Sequence, residues 1–127
     1  MAIPTKRILI VDDSGFIRAI VKVTLEKTAG WEVLTASSGE EALVQAESLP
    51  DAILLDVVMP EMDGPSTLRK LRENQRTRSI PVILLTATEQ TDDLRSLAEL
   101  GAAALIAKPF DPVTFASHVR ATLGWTA

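Results

Sequence analysis

The chain has 127 residues, enough for one domain around one core, with 46% hydrophobic and 24% charged residues in an ordinary globular balance. A net charge of −4 gives no electrostatic ground for holding nucleic acid or an anionic membrane surface. With no cysteine and a single histidine, His118, the chain has no disulfide, no thiolate chemistry and no metal cluster built from cysteine or histidine.

The segment 1–7 lacks the apolar run of a signal peptide, and no apolar stretch reaches the ~20 residues that span a bilayer, so a cytoplasmic protein without membrane insertion is expected. Arg7-Ile8-Leu9-Ile10-Val11 predicts a buried strand, which ends in Asp12-Asp13. Ser14 opens a helix whose apolar positions Ile17, Ile20, Val21 and Thr24 share a face, and Gly30 stops it. Trp31 to Ala36 is a second strand. Ser38 caps a second helix, with Glu41 completing a capping box. Ala52-Ile53-Leu54-Leu55 is a third strand, ending in Asp56. Pro65 lies near the start of a third helix, with Leu68 and Leu71 inward and Arg69, Lys70 and Arg72 outward. Pro81-Val82-Ile83-Leu84-Leu85 is a fourth strand, ending in Thr86. Thr91-Asp92-Asp93 opens a fourth helix carrying Leu94, Leu97 and Ala98 and ended by Gly101. Ala104-Leu105-Ile106-Ala107 is a fifth strand, followed by Lys108-Pro109. Asp111-Pro112 opens a last helix with Val113, Ala116, Val119 and Leu123 at helical spacing.

Strands that are apolar on both faces and alternate with amphipathic helices indicate an α/β fold of (βα)5 type. This is a flavodoxin-like open parallel sheet of strand order 2-1-3-4-5 with helices on both faces. The domain is expected to run over 5–124, with no linker, repeat or output domain in this chain. In such sheets the ligand site lies beyond the carboxyl ends of the strands. There this topology gathers Asp12, Asp13, Asp56, Thr86 and Lys108.

Three carboxylates in one place repel: at ~4 Å and an effective dielectric of ~20, each pair costs about 4 kcal/mol before screening. A cation relieves that cost. Oxygen-only ligands favour a hard ion, Mg²⁺ or Mn²⁺, and Mg²⁺ commonly bridges to a phosphate oxygen. Lys108 adds a fixed positive charge and Thr86 a hydroxyl donor, so the set can hold a phosphoryl group beside a carboxylate nucleophile. Singly, each residue has a plainer reading. Asp12, Asp13 and Ser14 can cap a helix, Asp56 can serve a turn, Thr86 can end a strand, and Lys108 can be a solvated lysine before a proline. Their occurrence together, each at a strand end, favours the site.

The segments Ile8-Leu9-Ile10-Val11-Asp12-Asp13-Ser14 and Leu54-Leu55-Asp56-Val57-Val58-Met59-Pro60-Glu61-Met62-Asp63-Gly64 carry a family resemblance. So do Pro81-Val82-Ile83-Leu84-Leu85-Thr86-Ala87 and Ala107-Lys108-Pro109-Phe110. In this order and spacing they resemble the receiver domain of two-component response regulators, of the chemotaxis-regulator type, over nearly the whole chain. The resemblance implies that Asp56 accepts a phosphoryl group in a Mg²⁺-dependent reaction. The donor would be the phosphohistidine of a sensor histidine kinase or a histidine phosphotransfer protein. It implies Asp13, Asp56 and the backbone carbonyl of Val58 as metal ligands, with Asp12 reaching the ion largely through water. Lys108 would pair with the phosphoryl oxygens, and Thr86 would be the switch hydroxyl. The fourth helix, fifth strand and fifth helix would then change conformation to control a downstream protein target. The chain would be a signalling switch rather than an enzyme, assisting only its own phosphorylation and dephosphorylation. It would be monomeric or form a weak phosphorylation-dependent dimer. A cis Lys108–Pro109 bond and access past the small Ala87 are implied as well.

The family often has an aromatic switch residue three positions before the lysine, and here that position is Leu105, so the readout surface is expected to differ. The resemblance also implies that Val58 and Thr88 stand at the two variable sites that flank the pocket in relatives; neither would orient an attacking water, so a long-lived phosphoryl group is expected. The run from Arg69 to Arg78 has five basic residues and one acidic one, without interleaved aromatics, and reads as a solvated helix end rather than a DNA-binding patch. Phe16 and Ile17 at the start of the first helix and Pro109-Phe110 before the last lie near the acidic rim; part of this surface would dock the donor, unless Phe16 and Phe110 are core residues. Two other classes are disfavoured. An aspartate-based phosphatase usually places its two acids two residues apart, and a flavodoxin-like nucleotide binder would want a phosphate loop where Asp12-Asp13 stands.

Overall fold

The computed structural model describes residues 5–86, 99, 101–108 and 111–125. Five strands form one parallel sheet: β1 (Arg7–Val11), β2 (Glu32–Ala36), β3 (Ala52–Asp56), β4 (Val82–Thr86) and β5 (Ala104–Ala107). Their order is β2-β1-β3-β4-β5, as the sequence predicts. Four helices are described: α1 (Gly15–Thr28), α2 (Gly39–Ala46), α3 (Gly64–Glu73) and the C-terminal α4 (Pro112–Leu123). Of the helix expected from Thr91 to Gly101 only Glu99, which is helical, and Gly101 are described; the rest lies outside the described residues, as do the Lys108–Pro109 bond, Ala87, Thr88 and Phe110. No helix among the described residues is long and apolar enough to cross a membrane.

The period-two alternation of the strands divides the core into two layers. Ile8, Ile10, Leu54, Ile83, Leu85 and Ile106 face α1 and α4, where they meet Val21, Leu25, Phe115, Ala116 and Val119. Leu9, Val11, Ile53, Leu55, Val82 and Leu84 face α2 and α3, meeting Ala42, Ala46, Leu68 and Leu71. β3 and β4 are buried along their whole length, and the edge strands β2 and β5 only in part. Each fully buried Leu or Ile contributes about 1.5–3 kcal/mol relative to exposure, so the central strands anchor the rim that follows them.

Local signals set the helix starts. Ser14, Ser38, Asp63 and Asp111 are N-caps whose side chains accept from Ile17, Glu41, Ser66 and Val113 backbone N–H groups, respectively. The capping box at Ser38 is half made: Ser38 accepts from the Glu41 N–H at 3.1 Å, while the Glu41 carboxylate accepts from the Ser37 hydroxyl at 2.9 Å. Gly30 follows α1 with φ 70°, a left-handed conformation that suits glycine.

Two side chains depart from the sequence expectation, and exposure decides between the two readings of a third. Arg72 is not turned to solvent. Its guanidinium donates to the carbonyls of Arg78, Ile80 and Gly101 at 3.0, 2.9 and 3.0 Å, which ties α3 to the approaches of β4 and β5. Burial pulls its pKa below the ordinary guanidinium value. Val113 is 80% exposed, and Phe115 takes the inward place near the start of α4. Phe16 is 72% exposed and is no part of the core.

Candidate functional site

Asp12 stands one residue past β1. Its N–H still donates to the Ala36 carbonyl at 3.1 Å, which extends the ladder to β2 and draws the side chain inside, 1% exposed. Asp12 Oδ1 accepts from the Ser14 N–H at 2.9 Å, so this carboxylate also starts the turn into α1. One carboxylate oxygen of Asp12 thus serves the turn before α1, while the other accepts from Lys108 in the pocket. Asp13 is exposed at the mouth.

Asp56 is the last residue of β3 and 6% exposed. Its Oδ1 accepts from the Val58 N–H at 3.3 Å. The next residue is held through both its backbone groups: Val57 N–H donates to the Leu85 carbonyl at 3.1 Å, and Gly64 N–H donates to the Val57 carbonyl at 2.9 Å. A Cβ at Gly64 would collide with the Asp56 carbonyl oxygen and lie 2.8 Å from Val57 Cα. Only glycine lets the start of α3 press against the backbone that carries Asp56.

Lys108 follows β5, and its N–H donates to the Thr86 carbonyl at 2.8 Å. Its ammonium reaches into the pocket, 3.0 Å from Asp12 Oδ2 and 3.1 Å from Asp56 Oδ1. Thr86 ends β4 and is 3% exposed. Carboxylate oxygens of Asp12, Asp13 and Asp56 lie within 4.8 Å of one another. The structure thus brings the three acids and the lysine together, with Thr86 at the adjacent strand end. Val58 is 74% exposed beside Asp56. Leu105, mid-strand in β5, packs partly buried against the layer under α2 and α3.

The electrostatics are unbalanced, with three acids against one ammonium. Burial raises the Asp56 carboxyl above its ordinary value, and the neighbouring Asp12 charge adds to this. The Lys108 hydrogen bond works the other way without cancelling it. Burial opposes the Lys108 charge, but its contacts with Asp12 and Asp56 outweigh that and hold its pKa above the ordinary lysine value. A cluster of hard oxygen donors with residual negative charge fits a small divalent cation in composition and in spacing.

Sequence reading missed two contributors. Gly64 lies inside a quoted motif, yet its role depends on a close backbone approach that spacing does not reveal. Arg18, in the first turns of α1, donates from Nη1 to the Asp12 carbonyl at 2.7 Å. Its signal was available: a cation near a helix N-terminus opposes the helix dipole and calls for a local negative partner.

Residues 8–120 match the family model of the response regulator receiver domain. The chain belongs to that family. The receiver domain is 41% identical over 119 residues to the alkaline phosphatase synthesis transcriptional regulatory protein PhoP of Bacillus subtilis, covering 93% of this chain and 48% of PhoP. It is 44% identical over 117 residues to the response regulator PleD of Caulobacter vibrioides, covering 90% of this chain and 25% of PleD. The chain thus spans about half the length, or less, of these curated relatives. Among solved structures it superposes on the chemotaxis response regulator CheY4 of Vibrio cholerae with a TM-score of 0.87 at 33% identity, covering 94% of this receiver domain and 99% of CheY4. A signal receiver domain of a histidine kinase from Syntrophus aciditrophicus gives a TM-score of 0.81 at 42% identity, with 94% and 91% coverage. The phosphatase and nucleotide-binder alternatives find no support.

Proposed function

We propose that this receiver domain is a phosphorylation switch in which Asp56 is the acceptor. The observation that carries the reading is the position of Lys108, whose ammonium touches both Asp12 and Asp56 across the acidic pocket. A carboxylate oxygen of Asp56 attacks phosphorus in line, forming the O–P bond of an acyl phosphate as the P–N bond to the donor histidine breaks. Lys108 then pairs with a phosphoryl oxygen, and the Thr86 hydroxyl donates to another. Asp13, Asp56 and the Val58 carbonyl would hold Mg²⁺, with Asp12 acting through water. The ion supplies charge neutralisation for the equatorial oxygens when bound.

The reading extends to partners. A histidine kinase or histidine phosphotransfer protein is the donor, and the exposed Phe16 near the rim is part of its docking surface. The protein works in the cytoplasm on a downstream protein target, as a monomer or a weak phosphorylation-dependent dimer, over a domain of 5–124. Hydrolysis of the acyl phosphate is slow, because the exposed Val58 brings no carboxylate or amide to orient water. With Leu105 in place of an aromatic, Thr86 alone starts the conformational response.

Intact mass after exposure to acetyl phosphate and Mg²⁺ tests the core of this reading. The expected result is a gain of one phosphoryl group that requires Mg²⁺ and is absent in Asp56→Asn. A gain that persists in Asp56→Asn would overturn the assignment. Thr86→Ala is expected to keep the mass gain while losing the accompanying chemical-shift changes in β5 and α4.

A further inference from the structure

We infer that Arg18 is a positioning residue for the metal pocket, setting the direction of Asp13 through the peptide bond that joins Asp12 to Asp13. The inference rests on the proposed metal role of the pocket and adds a residue to it.

The three acids are held very differently. Asp12 is fixed by the Ser14 N–H and by Lys108, and Asp56 by Lys108 and the Val58 N–H. Asp13 has no such support: no described residue bonds to its carboxylate, which lies exposed at the mouth. Its direction follows from its own backbone. The plane of the peptide before it is defined by the Asp12 carbonyl, and Arg18 Nη1 grips that oxygen at 2.7 Å, one of the shortest hydrogen bonds at the site. On the far side, Asp12 N–H is anchored to the Ala36 carbonyl at 3.1 Å. Rotation of the Asp12–Asp13 peptide would break the Arg18 bond.

The placement of Arg18 supports a dedicated role. Helical side chains lean toward the N-terminus, so a residue four positions after the Ser14 cap can reach back to the loop before the helix. The first turn of α1 has no acidic residue, so nothing on the helix itself pairs with this cation. Its place near the positive end of the helix dipole is unfavourable on its own account. The carbonyl of the acidic loop supplies the compensation.

Positioning and charge make opposite predictions, which allows a decisive test. Arg18 is a cation beside a cation site, so by charge alone its removal would tighten divalent binding. If it positions Asp13, removal weakens binding despite the lost repulsion. Mg²⁺ affinity is to be measured by calorimetry for wild type, Arg18→Met, Arg18→Lys, Asp13→Asn and the double variant Arg18→Met/Asp13→Asn, and Mn²⁺ spectra by electron paramagnetic resonance. All are compared at a temperature where circular dichroism shows each variant folded. Arg18→Met is expected to bind Mg²⁺ about tenfold more weakly, the lower end of the range for outer-sphere partners of metal ligands. Arg18→Lys should recover part of the loss, with a Mn²⁺ spectrum nearer to wild type. In the Asp13→Asn background the Arg18 change should have no further effect. Equal or tighter binding by Arg18→Met, or an undiminished effect without Asp13, would overturn the inference while leaving the metal pocket intact. Absence of Mg²⁺ binding by the wild-type chain would overturn the metal reading and this inference with it. Should Arg18→Met fail to fold, Arg18→Lys in both backgrounds decides by the same criterion.

Discussion

Where the strands of the sheet begin, Trp31 and Trp125 meet edge to face at 5.3 Å, Lys6 lies over Trp125 and Arg120 over Trp31. Close by, Arg7 N–H donates to Asp51 at 2.8 Å and the Arg7 guanidinium pairs with Glu32. Where the strands end, three carboxylates crowd around one ammonium. The two ends hang on the same buried strands, yet one matches cation to ring and charge to charge while the other keeps an excess of one sign. Opposite charges are matched at the floor of the sheet, and the unmatched negative charge is gathered at the rim. The division implies that the two ends can be altered separately.

The strongest challenge to this division is Trp31→Ala. With Trp31 only 7% exposed, the variant should lose about 3 kcal/mol of stability in denaturant titration. Its Mg²⁺ affinity should match that of wild type wherever it is folded; a parallel loss would mean that the ends are not separable. Lys108→Met acts on the rim and leaves Asp12 and Asp56 without their counter-charge. A loss of about 2 kcal/mol is expected in the metal-free protein, with Mg²⁺ restoring a large part of it by supplying the missing cation. If Mg²⁺ restores nothing, the ion does not occupy this pocket.

Asp56→Asn should work in the opposite direction, raising metal-free stability at neutral pH by about 1 kcal/mol, the usual scale of relieving a charge conflict. The sign follows from linkage. The folded-state value of Asp56 lies above the ordinary 3.8, so its protonated form stabilises the fold fully below that value. The contribution disappears as pH rises through the folded value. The advantage of Asp56→Asn over wild type should therefore be absent in strong acid and grow toward neutrality. Lys108 gives the alkaline counterpart: its folded value lies above 10.5, so its contribution persists at neutral pH and fades as pH rises through that folded value. The smallest effect belongs to the exposed floor pair. Glu32→Gln should change stability by less than about 0.5 kcal/mol, as exposed ion pairs generally do.

The fold was readable because burial on both sides of a sheet leaves continuous apolar runs. Arg7–Val11 and Ala104–Ala107 are strands as expected, and the polar residues that interrupt the runs are those at the rim. Asp12, Asp13, Asp56 and Lys108 were legible through topology, because a parallel sheet sends every strand end to one side. Long flexible stems were not legible. Helical spacing assigns Arg72 to the outer face of α3, but its side chain is long enough to turn back onto three carbonyls. Arg18 reaches its loop in the same way. Periodicity reports where a side chain leaves the helix and not where its charged end comes to rest. Val113 failed for a different reason: the opening turn of a helix can overhang the core that its later turns cover.

The contact at Gly64 bears on how this protein tolerates sequence change. The position is constrained by what it lacks, since a single methyl group would push against the main chain that presents Asp56. Gly64→Ala alters no charge, no hydrogen-bonding group and no metal donor, yet either α3 or the acceptor must yield to it. At this position the protein needs a hydrogen atom where any other residue would bring a carbon.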